Sequence, residues 1–219
     1  MGWPKLERVT GCSRLALSLV GLLVATNVAL VDFHQQLFPS LWRYVMWEGG
    51  VIENLTALNF LLGGVVFLAS AVSGGAPLAR RGWLLAFAVA CLVLLGEEVN
   101  YGAGMLVLNL NDPEFATRYN PQHGALHTLV PAWVPILAFF LIVGGVRVFH
   151  GRLRRIMRLP VPLGFLNAVL LTAVAVPFMR LGDNRYLLVD EVFEWSSSCL
   201  ILCLALHSRW GWFFLRSGE

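Results

Sequence analysis

Apolar runs close to the length of a bilayer crossing recur along this sequence, and they limit its fold more than any other feature. A helix needs about 20 predominantly apolar residues to cross the hydrocarbon. Stretches of that kind can be drawn at 14–31, 51–72, 83–106, 126–147, 160–179 and 190–208. Composition agrees: 58% of the residues are hydrophobic and 13% charged, where a soluble domain carries roughly a quarter charged. The expected fold class is therefore all-α, a polytopic transmembrane helical bundle of about six spans. It is expected to form a single transmembrane domain over 1–219, because the spans leave no room for a sizeable second one. The basic, apolar N-terminal stretch reads as a retained first span, since no small-x-small cleavage site closes it.

Charge placement suggests an orientation. With the N-terminus inside, inner segments hold Lys5, Arg8, Arg14, Arg80, Arg81, Arg147, Arg152, Arg154, Arg155, Arg158, Arg209 and Arg216. Outer segments hold only Arg43, Arg118, Arg180 and Arg185. Such a bias puts both termini on the cytoplasmic side and implies a bacterial inner (plasma) membrane, with any polar site extracytoplasmic. The stretch HGRLRRIMR dominates the bias and could also meet anionic lipid or a partner. The net charge of +3 is explained by this distribution and does not point to nucleic acid. Cys12, Cys91, Cys199 and Cys203 lack zinc-knuckle spacing and read as structural.

The carboxylates follow the opposite pattern. Of 13, only Glu7 and Glu219 belong to inner segments. Glu53 opens the second run, Glu97 and Glu98 lie late in the third, and Asp190, Glu191 and Glu194 open the sixth. His123 and His127 open the fourth, one helical turn apart. Residues three or four apart share a helix face, and a charge turned toward lipid is costly. These groups are thus expected to face inward in one layer, where neighbouring carboxylates would repel unless protonated, paired or metallated. Glu53, Glu98, His123, His127, Glu191 and Glu194 form the expected metal-ligand set, for zinc, iron or manganese. Glu98 and Glu194 are the expected catalytic carboxylates, moving a proton to or from metal-bound water. Asn54, Asn59, Asn100, Tyr101, Asn120 and Gln122 would orient them.

The fragments ENLTALNF, HGALHTL and DEVFEW resemble signatures of the intramembrane alkaline ceramidases, over 21 residues, about a tenth of the chain. The resemblance implies a zinc-dependent amidase, with Glu53, His127 and Asp190 at the matching positions. The closing His-x-x-x-His of that family is missing, and the distance between the last two fragments is too long.

The leading expectation is a metal-dependent membrane enzyme, a hydrolase or an oxidase, acting on a lipid or other hydrophobic small molecule at the outer leaflet. The alternative is an accessory subunit that meets a membrane-protein partner through small-residue surfaces such as FLLGG and FLIVGG. A cation- or proton-coupled transporter would need a polar path through inner halves that are almost wholly apolar. A b-type haem would need His34 opposite His127.

Overall fold

Eight α-helices are present in the computed structural model, which describes residues 3–32, 51–73, 77–99, 133–174 and 186–215. They are α1 (Trp3–Thr10), α2 (Arg14–Asp32), α3 (Val51–Val72), α4 (Leu78–Glu98), α5 (Trp133–Val148), α6 (His150–Met157), α7 (Leu163–Val174) and α8 (Tyr186–Trp210). The chain is all-α. Among the described residues the only β pairing is one isolated antiparallel bridge, Cys12 with Phe214.

The six-span expectation does not hold. Two described helices combine the length and apolarity of a membrane crossing: α3, with mean hydropathy 2.0, and the Leu78–Gly96 part of α4, with 1.9. Hydropathy had counted apolar residues without regard to where a helix starts, stops or turns polar. The apolar part of α2 is only Arg14–Ala29, and α7 offers only Leu163–Ala173. The described part of α5 has 16 residues, and the predicted start of that span lies outside the described residues. α8 is long enough at 25 residues, but it carries Asp190, Glu191, Glu194 and the run Ser196–Ser198. The assignment to an integral inner-membrane protein with cytoplasmic termini rested on six spans and falls with them. Two such helices are weak ground for it, because core helices of a water-soluble bundle meet the same length and hydropathy criteria.

Packing is organised around α3 and α8. The hairpin α3–α4 is closed tightly because α3 has no Cβ at Gly63 or Gly64. A Cβ added at Gly64 would stand 3.3 Å from the Cys91 Cβ of α4, and one at Gly63 would stand 3.9 Å from the Leu202 Cα of α8. Small residues at these points let backbones approach closely enough for dense van der Waals contact. One core joins Phe67 and Ala71 of α3, Leu84, Ala88 and Cys91 of α4, Leu166 of α7, and Leu204 and Ala205 of α8. A second joins Ala16, Val20 and Leu23 of α2 to Ala168 of α7 and Leu200 and Cys203 of α8. α8 contributes to both.

The second core ends in a clasp between distant parts of the chain. Ser13 N–H donates to Phe213 O at 2.9 Å, and Leu215 N–H donates to Gly11 O at 2.9 Å. Gly11 sits at φ +69°, a conformation that glycine adopts at little cost. A Cβ on Gly164 would run into the Gly11 carbonyl. The segments near both termini therefore meet at one end of the bundle.

Replacing Gly64 with Val should cost about 1–3 kcal/mol through overpacking against Cys91. Gly21→Ala in α2, where an added Cβ meets nothing within 4 Å, should be neutral or stabilising by up to about 1 kcal/mol. Thermal unfolding followed by circular dichroism measures both, and equal effects would contradict the packing described.

Candidate functional site

The register of the helices determines which ionisable groups can meet. α3 and α4 are antiparallel, with Gly64 beside Cys91 and Phe67 beside Phe87, ring centroids 5.4 Å apart. α3 and α8 run parallel, since Asn59 bonds Ser198 and Gly63 lies against Ile201 and Leu202. Extending both registers puts Glu98 level with Ala57 of α3 and Glu194 level with Leu55. With Glu53, the three glutamates lie within about one helical turn of a common level. They define an acidic end of the bundle.

Sharing a level does not make a metal centre. Among the described residues, no group of three or more His, Cys, Asp or Glu converges where an ion could sit. His123 and His127 lie outside the described residues, as does the side chain of Glu191. Glu53, Glu98 and Glu194 are each half-buried, and each has an interaction partner. Glu53 lies in the first turn of α3, where the helix dipole favours a carboxylate. Glu98 ends α4, where the dipole disfavours one, so its place is set by something else. The reading as a metal-dependent membrane hydrolase or oxidase needed both six spans and a convergent ligand group. Neither support is found, and that reading is withdrawn.

The polar interior that the described residues do form lies deeper, along α8. Asn27 of α2 donates through Nδ2 to Ser196 Oγ at 2.7 Å. Asn59 of α3 donates through Nδ2 to Ser198 Oγ at 3.1 Å and to Cys199 Sγ at 3.3 Å. Ser198 Oγ in turn donates to Trp195 O at 2.7 Å. Asn27, Thr56, Ser196 and Ser198 are all at most 1% exposed. Among the described residues, Asn27 Oδ1 and Thr56 Oγ1 have no hydrogen-bond partner. The seam therefore fixes α2 and α3 in register on α8. Sequence reasoning singled out Asn59 only as an orienting group and passed over Asn27 and the serines. The available signal was the polar run Ser196-Ser197-Ser198-Cys199 inside an otherwise apolar helix.

A second polar network lies at the opposite, basic end. Arg147 Nε donates to Asn167 Oδ1 at 2.7 Å, and Asn167 Nδ2 donates to Thr10 O at 2.7 Å. His150 Nε2 and Val161 O are 2.8 Å apart. The Cys12 thiol donates to Gly164 O at 3.2 Å. Burial pushes that thiol above its ordinary pKa, with the Thr10 hydroxyl partly offsetting the shift. Hydrogen bonds from Arg80 Nη2 to Ser208 O at 3.1 Å and from Arg209 Nη1 to Ser73 Oγ at 2.6 Å tie the hairpin to the end of α8.

No protein family, curated protein or solved structure matches this chain. The short resemblance to alkaline ceramidases is therefore without support from any family match.

Ser196→Ala should destabilise the fold by about 1–3 kcal/mol, because it leaves a buried amide unsatisfied. Combining it with Asn27→Leu should recover part of that loss, as a double-mutant cycle in chemical unfolding would register. A Cys12 whose thiol is held neutral should react with iodoacetamide only at higher pH than an exposed cysteine. Peptide mass analysis across pH checks this, and rapid labelling of Cys12 at neutral pH would contradict the buried clasp.

Proposed function

We propose that this protein is a lipid-bound helical module, held against bilayer hydrocarbon by the outer face of the single hairpin α3–α4. The observation that carries the reading is burial. Only 44% of the apolar window of α3 is buried within the fold, and only 17% of that of α4. A core helix of a water-soluble bundle would be covered by its own chain.

The uncovered residues lie along both helices. On α3, Leu58, Leu61, Leu62, Val65 and Leu68 are 42–56% exposed, and on α4 Leu85, Val89, Leu92 and Val93 are 44–59% exposed. Fully burying one such side chain is worth about 1.5–3 kcal/mol. Leaving this set half in water would forgo on the order of 10 kcal/mol, comparable to the whole stability of a domain. Something apolar covers this face.

End groups favour lipid as that cover. The hairpin's basic end has Arg80, Arg81 and Trp83 at the start of α4. Beside it, Trp210 and Trp212 stack 5.0 Å apart and are 49% and 56% exposed. Tryptophan and arginine at one end of an apolar pair are the expected groups for a headgroup boundary. The opposite side of the hairpin is occupied by α8 and α7, so lipid would meet the bundle from one side only. The role is one of binding and anchoring.

Nitroxide labels at Val65 and Val89, in a Cys199→Ser background and phosphatidylcholine vesicles, test this. Collisions with oxygen should exceed those with a water-soluble nickel chelate at both sites. Greater access to the chelate would place the face in water. Access to neither would place it under protein, and either result removes the lipid reading.

A further inference from the structure

We infer that α6 and the adjoining end of the hairpin form a recognition surface for the phosphate groups of anionic lipids. The inference rests on the lipid reading above and goes beyond it, because a hydrocarbon-bound hairpin has no need to distinguish one headgroup from another.

α6 is set off as a separate element at both ends. Phe149 bends the path after α5, at φ −91° and ψ 8°, and Arg158 closes α6 in the left-handed conformation, at φ 52°. Its inward face is His150, which is buried against Val161 O, together with the half-buried Leu153. At its C-terminal end Trp83 of α4 donates its indole N–H to Met157 O at 2.8 Å. That bond holds α6 beside the start of α4, at the level where the hairpin's apolar face gives way to Arg80 and Arg81.

Away from the inward face, helical spacing separates two kinds of residue. Arg152 and Arg155 lie opposite His150 and Leu153 and are exposed. Phe149 and Ile156 form the flank next to them, 53% and 76% exposed. A helix with an apolar flank and a basic outer face is built to lie in the plane of a bilayer surface, with the flank in the acyl boundary and the cations among headgroups. Arg80 and Arg81, in the turn of α4 just before Trp83, are also positive. Guanidinium groups pair with phosphate oxygens in a planar, bidentate way. Basic residues near an anionic surface each strengthen association about fivefold. Lipid is the committed occupant because exposed Phe149 and Ile156 have no use for a free phosphate in water.

The test uses the full chain reconstituted in bilayers with trace spin-labelled lipid, comparing phosphatidylglycerol with phosphatidylcholine. The motionally restricted fraction should favour the anionic lipid several-fold. The preference should shrink toward unity in Arg152→Gln/Arg155→Gln, and for the unaltered protein at 1 M salt, where charges are screened within about 3 Å. A restricted fraction with equal preference for the two lipids would overturn the headgroup inference and leave the hairpin reading standing. No restricted fraction for either lipid would overturn both. A preference that survives both the substitutions and salt would place the recognition elsewhere and overturn the assignment to α6.

Discussion

Everything in this bundle depends on α8 being packed from two sides at once. Its Leu200 and Cys203 close the core with α2 and α7, while Leu204 and Ala205 close the core with α3, α4 and α7. Such a helix cannot be apolar all round and still be placed uniquely, because apolar contact has no direction. The hydrogen bonds Asn27–Ser196 and Asn59–Ser198 supply the direction. They fix height and rotation for α2 and α3 separately. The cost of that arrangement is a polar seam in the interior, limited by the bonds Asn27–Ser196 and Asn59–Ser198, while Asn27 Oδ1 and Thr56 Oγ1 remain without a hydrogen-bond partner among the described residues.

The two-sided role of α8 also determines what α3 and α4 can do. α3 uses Gly63 and Gly64 to approach α4 and α8 together, so its buried face is fully committed. α4 has only one neighbour of consequence along most of its length, and its outer residues Leu85, Val89 and Leu92 are left uncovered. The exposed apolar surface is therefore a consequence of topology among the described residues, where α8 and α7 pack on the other side of the hairpin. An exposed apolar face on an edge hairpin of this kind marks a surface for interaction.

The sequence was legible where one signal acted alone. The run 51–72 coincides with α3, since no charged residue interrupts it after the first turn. The first run, 14–31, misses α2 by one residue. Placement failed where charge and helix propensity disagree with hydropathy. α4 starts at Leu78, five residues before the predicted 83, because Arg80 and Arg81 are good helix formers and Arg80 is exposed at the helix end. α1 and α6 were not foreseen as helices, being short and basic, and they are held by contacts such as Asn167 to Thr10 O and Trp83 to Met157 O that pattern alone does not contain. Among the expected site residues, Glu53, Glu98 and Glu194 lie within about one helical turn of a common level. Whether groups on three helices converge depends on crossing angles and rotation, and those are set by Gly63, Gly64 and the α8 serines instead of by the glutamates themselves.

The distribution of charge gains a different meaning in this light. Acidic groups at one end and basic groups at the other read, from the sequence alone, as a topology signal together with an acidic active site. In the fold the basic end is the more elaborately built of the two. It joins both terminal segments through the Cys12–Phe214 bridge, and α5 and α7 through Arg147 and Asn167. α6 is fixed there through His150 and Trp83, and the hairpin is tied to α8 through Arg80 and Arg209. Several arginines there spend hydrogen bonds on backbone or side-chain oxygens, which holds a like-charged surface together against its own repulsion. Structural cations of this kind keep their charge while they bond, so the basic end combines its packing role with a positive local potential.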